Sequence, residues 1–244
     1  MGEDKSGKTA PPEPKTDGLS VELLADGARK SCANAEALFS EAVLLSEHGA
    51  LARSLCLHQI SLEECAKVEH LGAWAMGLLQ GEAIDSRRIR KTFGSHAAKN
   101  KLNAYMLDPS EDEIAAREKG DWKGAMEAFR ETQRGFHQFS NDNKNAALYV
   151  DWSGSAFVAP ADVIKQEGVA GIAALNARFL DYARLQIRMF DRLLESGDVL
   201  VPLLQALMEK MESLRDTPVE ERLEGADTAT ADFLKAALAQ ARKT

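Results

Sequence analysis

Between Asp85 and Asp108 the chain carries no acidic residue, and six cations, Arg87, Arg88, Arg90, Lys91, Lys99 and Lys101, share that stretch with one histidine, His96. In a chain whose net charge is −8 this is a strongly positive local field, and phosphate is its natural ligand. An imidazole beside a guanidinium suits RNA cleavage without a metal. The ring moves the proton of the 2′-hydroxyl or of the leaving group, and the guanidinium neutralises charge developing on the phosphate oxygens. Arg90 precedes His96 with five residues between, and Arg130 precedes His137 with six, which makes a rival pair. About one such spacing is expected by accident in a chain this rich in arginine, so on spacing alone His96 reads as a surface or capping residue.

A second candidate group is Glu-Glu-x-x-Lys at Glu63, Glu64 and Lys67, at the heart of a Leu- and Ala-rich stretch from Ala50 to Leu79. That stretch has no Gly or Pro before Gly72 and follows Gly49, so it predicts one long helix. On its wheel Leu51, Leu55, Leu62, Cys65, Ala66 and Met76 fall on one side, and Leu57, Ile60, Val68, Leu71, Ala75 and Leu78 nearly opposite. Two apolar stripes mean packing on both sides. Gln59, Glu63, Lys67 and His70 form a polar strip between them, while Glu64 projects into the second stripe and Glu69 into the first. A carboxylate in a core needs a cation and hydrogen bonds, or it keeps its proton. The bland expectation is a Glu63–Lys67 pair in water, worth a few tenths of a kcal/mol; the sharper one is that Glu64 and Lys67 brace a neighbouring site.

The elements that must position these groups are helical. At 244 residues, 45% apolar, with few aromatics and few β-branched runs, the composition is that of a soluble all-α protein. Its acidity argues against a broad nucleic-acid-coating surface but leaves room for a local basic patch. Cys32, Cys56 and Cys65 are odd in number and spaced neither as a metal set nor as a redox pair, which fits the reducing cytoplasm. No apolar run is long enough for a membrane span, and Met1–Ser20 is polar and Pro-rich, unlike a signal peptide. There is no Gly-rich phosphate loop, nucleophile elbow or Cys-His zinc spacing. A di-iron site would need Glu-x-x-His pairs, and residues 67, 93 and 134, three before His70, His96 and His137, are Lys, Phe and Arg; no metal or cofactor is expected.

In chain order, residues 1–18 are expected to be a disordered tail. Ser20 caps a first helix over Val21–Glu47, which pairs antiparallel with the Ala50 helix through His48–Gly49. Asp85 or Ser86 opens a third helix through about Met106, bent or broken at Gly94. Helices over Ser110–Lys119 and Asp121–Phe136 follow, and Ser140–Asn145 reads as a loop. Ala147–Asp151 and Ala156–Val158 form a small β-hairpin. Pro160 opens a helix to about Ser196, interrupted near Gly168–Gly171. Its Arg184, Arg188 and Arg192 alternate with acids and read as a self-paired, solvated face. A segment over Val199–Leu214 returns, and an Ala-rich helix over Thr230–Arg242 closes a C-terminal appendage. The expected division is therefore a tail (1–18), a helical domain (19–214) and a helical appendage (215–244).

Three blocks carry a resemblance: Leu51-Ala-Arg-Ser with Ser61-Leu-Glu63-Glu64-Cys-Ala-Lys67; Phe93-Gly-Ser-His96-Ala-Ala-Lys99; and Lys144-Asn-Ala-Ala-Leu-Tyr149-Val-Asp151 followed by Pro160. In this order the chain resembles the AbiV family of abortive-infection proteins, a branch of the HEPN superfamily, over about residues 20–195. The resemblance implies a HEPN-like helical bundle, a bacterial antiphage role, and metal-independent RNA cleavage at a composite site in a homodimer. By the same analogy His96 is the acid/base and Arg90 the phosphate clamp. Glu64, Lys67 and Lys99 support the site, and Arg87, Arg88, Lys91 and Lys101 guide the RNA backbone. Lys91 departs from the polar uncharged or acidic residue often found after the motif arginine, and the motif usually sits on a later helix, which keeps Arg130/His137 in contention. The competing expectation is a non-catalytic module that binds a phage protein trigger or nucleic acid.

Overall fold

The structure, a computed structural model, describes residues 18–241; the expected N-terminal tail falls almost wholly outside them. Ser20 caps α1 (Val21–Glu47), its Oγ accepting the Leu23 N–H at 3.2 Å. Gly49, at φ +74°, turns the chain back into α2 (Leu51–Leu79). Ala28, Ala35 and Ala42, seven residues apart on α1, have no exposed surface, and neither do Ser54, Ser61 and Val68 at the same interval on α2. Small side chains at this repeat let the two backbones approach closely. The serine hydroxyls then reach across and donate to carbonyls of α1, Ser54 to Ala42 and Ser61 to Ala35, each at 2.7 Å.

The α2 helix is the centre of the molecule, since α1, α8 (Gln166–Glu195), α4 (His96–Asn103) and α6 (Trp122–Leu148) all pack on it. This is the two-sided packing its wheel requires. Leu24, Leu55, Leu62, Val68, Leu71, Phe179 and Leu180 make the main apolar core between α1, α2 and α8. Within that core His58 is 1% exposed, edge-on to Phe39 and hydrogen-bonded to the Asn176 amide at 3.1 Å. Burial lowers its pKa to about 4, so the ring is neutral at physiological pH.

The basic segment does break near Gly94. Asp85 caps α3 (Ser86–Gly94), and Ser95, in an extended conformation, ends it and caps α4 by accepting the Ala98 N–H at 3.1 Å. His96 is thereby the first residue of α4. A short 3₁₀ turn, Ala104–Met106, and α5 (Glu111–Glu118) lead to α6, capped by Asp121.

Three expectations need correction. Residues 140–145 are not a loop: α6 continues to Leu148, because Ser140, Lys144 and Ala147 are buried against α2 and their cross-helix bonds outweigh the low helix propensity of the Asn- and Asp-rich run. The hairpin is correspondingly shorter, β1 (Asp151–Trp152) against β2 (Phe157–Val158). And the chain after Pro160 is interrupted earlier than its glycines imply. The short α7 (Pro160–Val163) stops at Ile164, whose side chain is buried, and α8 runs unbroken through Gly168 and Gly171. Two further helices, α9 (Gly197–Ser213) and α10 (Val219–Ala241), pack on each other; α9 also touches α8, and Gln205 donates to the Leu79 carbonyl at the end of α2. The all-α class with one small hairpin is what the composition implied.

Candidate functional site

A polar seam runs between α2, α4 and α6. Gln59 and Glu63 contribute from α2, one turn apart. His96, Lys99, Asn100 and Asn103 lie along one face of α4, and His137, Ser140 and Lys144 along one face of α6. At the centre is Glu63, 2% exposed. Its Oε1 accepts from Lys144 Nζ at 2.6 Å, and its Oε2 from Lys99 Nζ at 2.8 Å and His96 Nδ1 at 2.6 Å. Lys144 Nζ also lies 3.3 Å from His96 Nδ1. Burial pushes the Glu63 pKa up, but the hydrogen bonds from Lys144, Lys99 and His96 more than offset it, and the net shift is downward. Glu63 is therefore a carboxylate held ionised inside the fold.

The surroundings are rigid. Asn103 donates to the Leu62 carbonyl at 2.9 Å and fastens α4 to α2, and Ser140 donates to Gln59 Oε1 at 2.8 Å and fastens α6. Gln59 Nε2 is buried with no hydrogen-bond partner among the described residues. Lys99 and Lys144 are nearly as buried as Glu63, whereas the His96 side chain is 59% exposed. The histidine thus forms the seam's solvent-facing edge. Its Nδ1 is committed to Glu63 and its Nε2 has no partner among the described residues.

Of the residues singled out in the sequence, His96 and Lys99 come together here, and the positively charged stretch does fold onto the middle helix. The carboxylate that meets them is Glu63, not Glu64. Glu64 is buried and pairs at 2.5 Å with Lys67, whose ammonium lies 5.2 Å from the centre of the Phe93 ring. The expected solvated Glu63–Lys67 pair is overturned, since Glu63 is taken by α4 and α6. Phe93 stacks on Trp74 and Trp74 on His70, an aromatic column that seats α3 against α2. Glu69 lies half-buried and accepts from Gln186 at 3.0 Å, with its pKa raised by burial.

The remaining cations are elsewhere. Arg87 pairs with Asp85 beside it, and Arg88, Arg90 and Lys91 are exposed on α3 and Lys101 on α4, with no ion-pair partner among the described residues. No hydrogen bond joins Arg90 to His96 or Arg130 to His137 within the described chain. His137 instead faces Asn100, its Nδ1 3.4 Å from the amide nitrogen. Sequence reasoning missed Lys144, which stood in an apparent loop, and did not place Glu63 beside His96 and Lys99. The available signal was the polar strip Gln59–Glu63, which had to meet something polar once both flanking stripes were buried.

Among the described residues no group of three or more His, Cys, Asp or Glu side chains is placed to hold a metal, and no helix is long and apolar enough to cross a membrane. The lysines that fill the space around Glu63 are poor metal donors.

The chain is thus an all-α bundle with a charged polar seam along its second helix. The AbiV family model matches residues 23–181, and the chain belongs to that family. An uncharacterized protein, y4gJ, from Sinorhizobium fredii (strain NBRC 101917 / NGR234) is 40% identical over 121 residues, half of this chain. The match spans 63% of that relative's length. No solved structure matches.

Proposed function

We propose that this chain is an abortive-infection ribonuclease: a cytoplasmic homodimer that cleaves RNA without a metal during phage infection and so arrests translation. One observation carries the reading, the 2.6 Å contact of His96 Nδ1 with the ionised Glu63 in a ring otherwise open to solvent. With its proton on Nδ1 and donated to Glu63, the imidazole presents an unprotonated Nε2 outward. That is the tautomer needed to take the proton from a 2′-hydroxyl. Glu63 fixes the orientation of the ring, and Lys99 and Lys144 keep Glu63 charged. The exposed Arg90 is the phosphate clamp, contributed within one subunit or from the second. Arg87, Arg88, Lys91 and Lys101 guide the backbone, and Glu64 with Lys67 braces α3 through Phe93.

The test is cleavage of RNA in EDTA by the wild type and by His96→Ala. The expected result is loss of about 10²- to 10⁴-fold in the variant, the usual contribution of a general acid or base, in a protein that still folds cooperatively because Lys99 and Lys144 continue to pair with Glu63. Equal cleavage by both proteins refutes the assignment. A second reading, that the protein binds a phage protein without cutting RNA, is favoured by the hairpin, where Tyr149, Val150, Trp152 and Phe157 are all exposed. Phage resistance that persists in His96→Ala cells and disappears when Trp152 and Phe157 are replaced would establish it.

A further inference from the structure

The two histidines that compete as motif residues in the sequence lie on the same seam, one turn of α4 apart. His96 opens that helix, and Asn100, four residues on and therefore on the same face, is the residue that faces His137. Their environments favour opposite tautomers. His96 Nδ1 lies 2.6 Å from the Glu63 carboxylate, which only accepts, and 3.3 Å from the Lys144 ammonium; the shorter contact favours the proton on Nδ1 and the lone pair on Nε2. At His137 the neighbour of Nδ1 is the Asn100 amide nitrogen at 3.4 Å, an arrangement that favours Nδ1 as acceptor and the proton on Nε2. Asn100 is 1% exposed, and His137 is partly exposed.

We infer that His137 is the general acid that partners His96 as general base. This assignment rests on the ribonuclease reading and deepens it. In the forward step His96 Nε2 removes the 2′-hydroxyl proton and the 2′-oxygen attacks phosphorus. The bond from phosphorus to the 5′-oxygen breaks, and His137 Nε2–H delivers its proton to that oxygen. The products are a 2′,3′-cyclic phosphate and a free 5′-hydroxyl. One proton is taken up and one given away, so no metal or other reactant is needed, and water returns both rings to their starting forms. On α2, Gln59, whose Nε2 has no partner among the described residues, stands one turn from Glu63 and accepts through Oε1 from Ser140, itself about one turn from His137 on α6.

A leaving-group substitution separates acid from base. At the bond that the wild type cuts in an oligoribonucleotide, sulfur replaces the bridging 5′-oxygen, which makes a leaving group that departs without a proton. His137→Ala and His137→Gln are expected to cut the natural oligonucleotide about 10²- to 10⁴-fold more slowly and the sulfur-bridged one within roughly threefold of the wild-type rate. His96→Ala should lose both. Retained cutting of the sulfur-bridged substrate also shows that the His137 variants fold. An equal loss on both substrates in both variants, or no loss on either, overturns the acid role and leaves the His96 base intact. If the wild type cuts neither substrate, the ribonuclease reading itself has failed.

Discussion

Two polar seams flank α2, and they solve opposite problems. On the α1/α8 side His58, Ser61 and Asn176 are sealed in the core: each is at most 1% exposed, no member carries charge, and each finds a partner. On the α4/α6 side Glu63 is equally buried, but it is ionised, surrounded by Lys99, Lys144 and His96, and connected to solvent through the imidazole. A neutral, satisfied network of the first kind specifies how helices dock. A charged one carries a desolvation penalty that packing does not require, and it ends here in a half-exposed ring that can exchange protons. Two histidines thus border this helix, His58 from within α2 and His96 from α4, and burial of the ring is what tells them apart.

The contrast breaks most visibly at Glu63. Glu63→Ala leaves two buried ammonium groups without their carboxylate and should cost about 3–5 kcal/mol of folding free energy, read from denaturant unfolding. A loss below 1 kcal/mol, the level of an exposed ion pair, would mean that water reaches the seam freely.

Acid should act on the other side of α2. Because burial depresses the His58 pKa to about 4 from 6.5, the unfolded chain binds a proton there before the folded one does. The contribution of His58 is therefore fully present above pH 6.5 and lost as pH falls toward 4, by up to about 3 kcal/mol. Burial also lowers the His70 pKa, so the quantity to measure is the difference between the stability curves of wild type and His58→Gln. Parallel curves across that window would place a charged, solvated ring at position 58.

Smallest of the three, Asn176→Ala should cost about 1–3 kcal/mol by stranding its buried partners, while RNA cleavage per folded molecule stays at the wild-type level. A specific fall in cleavage would show that the two seams are coupled through α2.

Much of this arrangement was legible in the residues. The long Leu- and Ala-rich stretch, its two apolar stripes, the caps Ser20 and Asp85 and the break near Gly94 are local signals, and the helices follow them. His96 was also within reach, as the one imidazole of a basic stretch. What stayed hidden was long-range. Glu63 and Glu64 differ by one step of about 100° on a helix, and only the position of α4 and α6, whose ligands stand 33 and 81 residues away, decides which of them is the hub. Lys144 was obscured for the same reason: its Asn- and Asp-rich neighbourhood reads as a loop until a buried carboxylate on another helix anchors it.

The seven-residue alanine stripe of α1 has a consequence for chemistry some distance from it. Ser61, clasped to the Ala35 carbonyl, stands two positions before Glu63, so where α2 sits lengthwise is indexed by contacts on the face turned away from the carboxylate. A slip of α2 by one turn would carry Glu63 about 5.4 Å along its axis, out of reach of both lysines and the imidazole. The smallest side chains in the protein thus act as a ruler that keeps the charged groups of the seam in range.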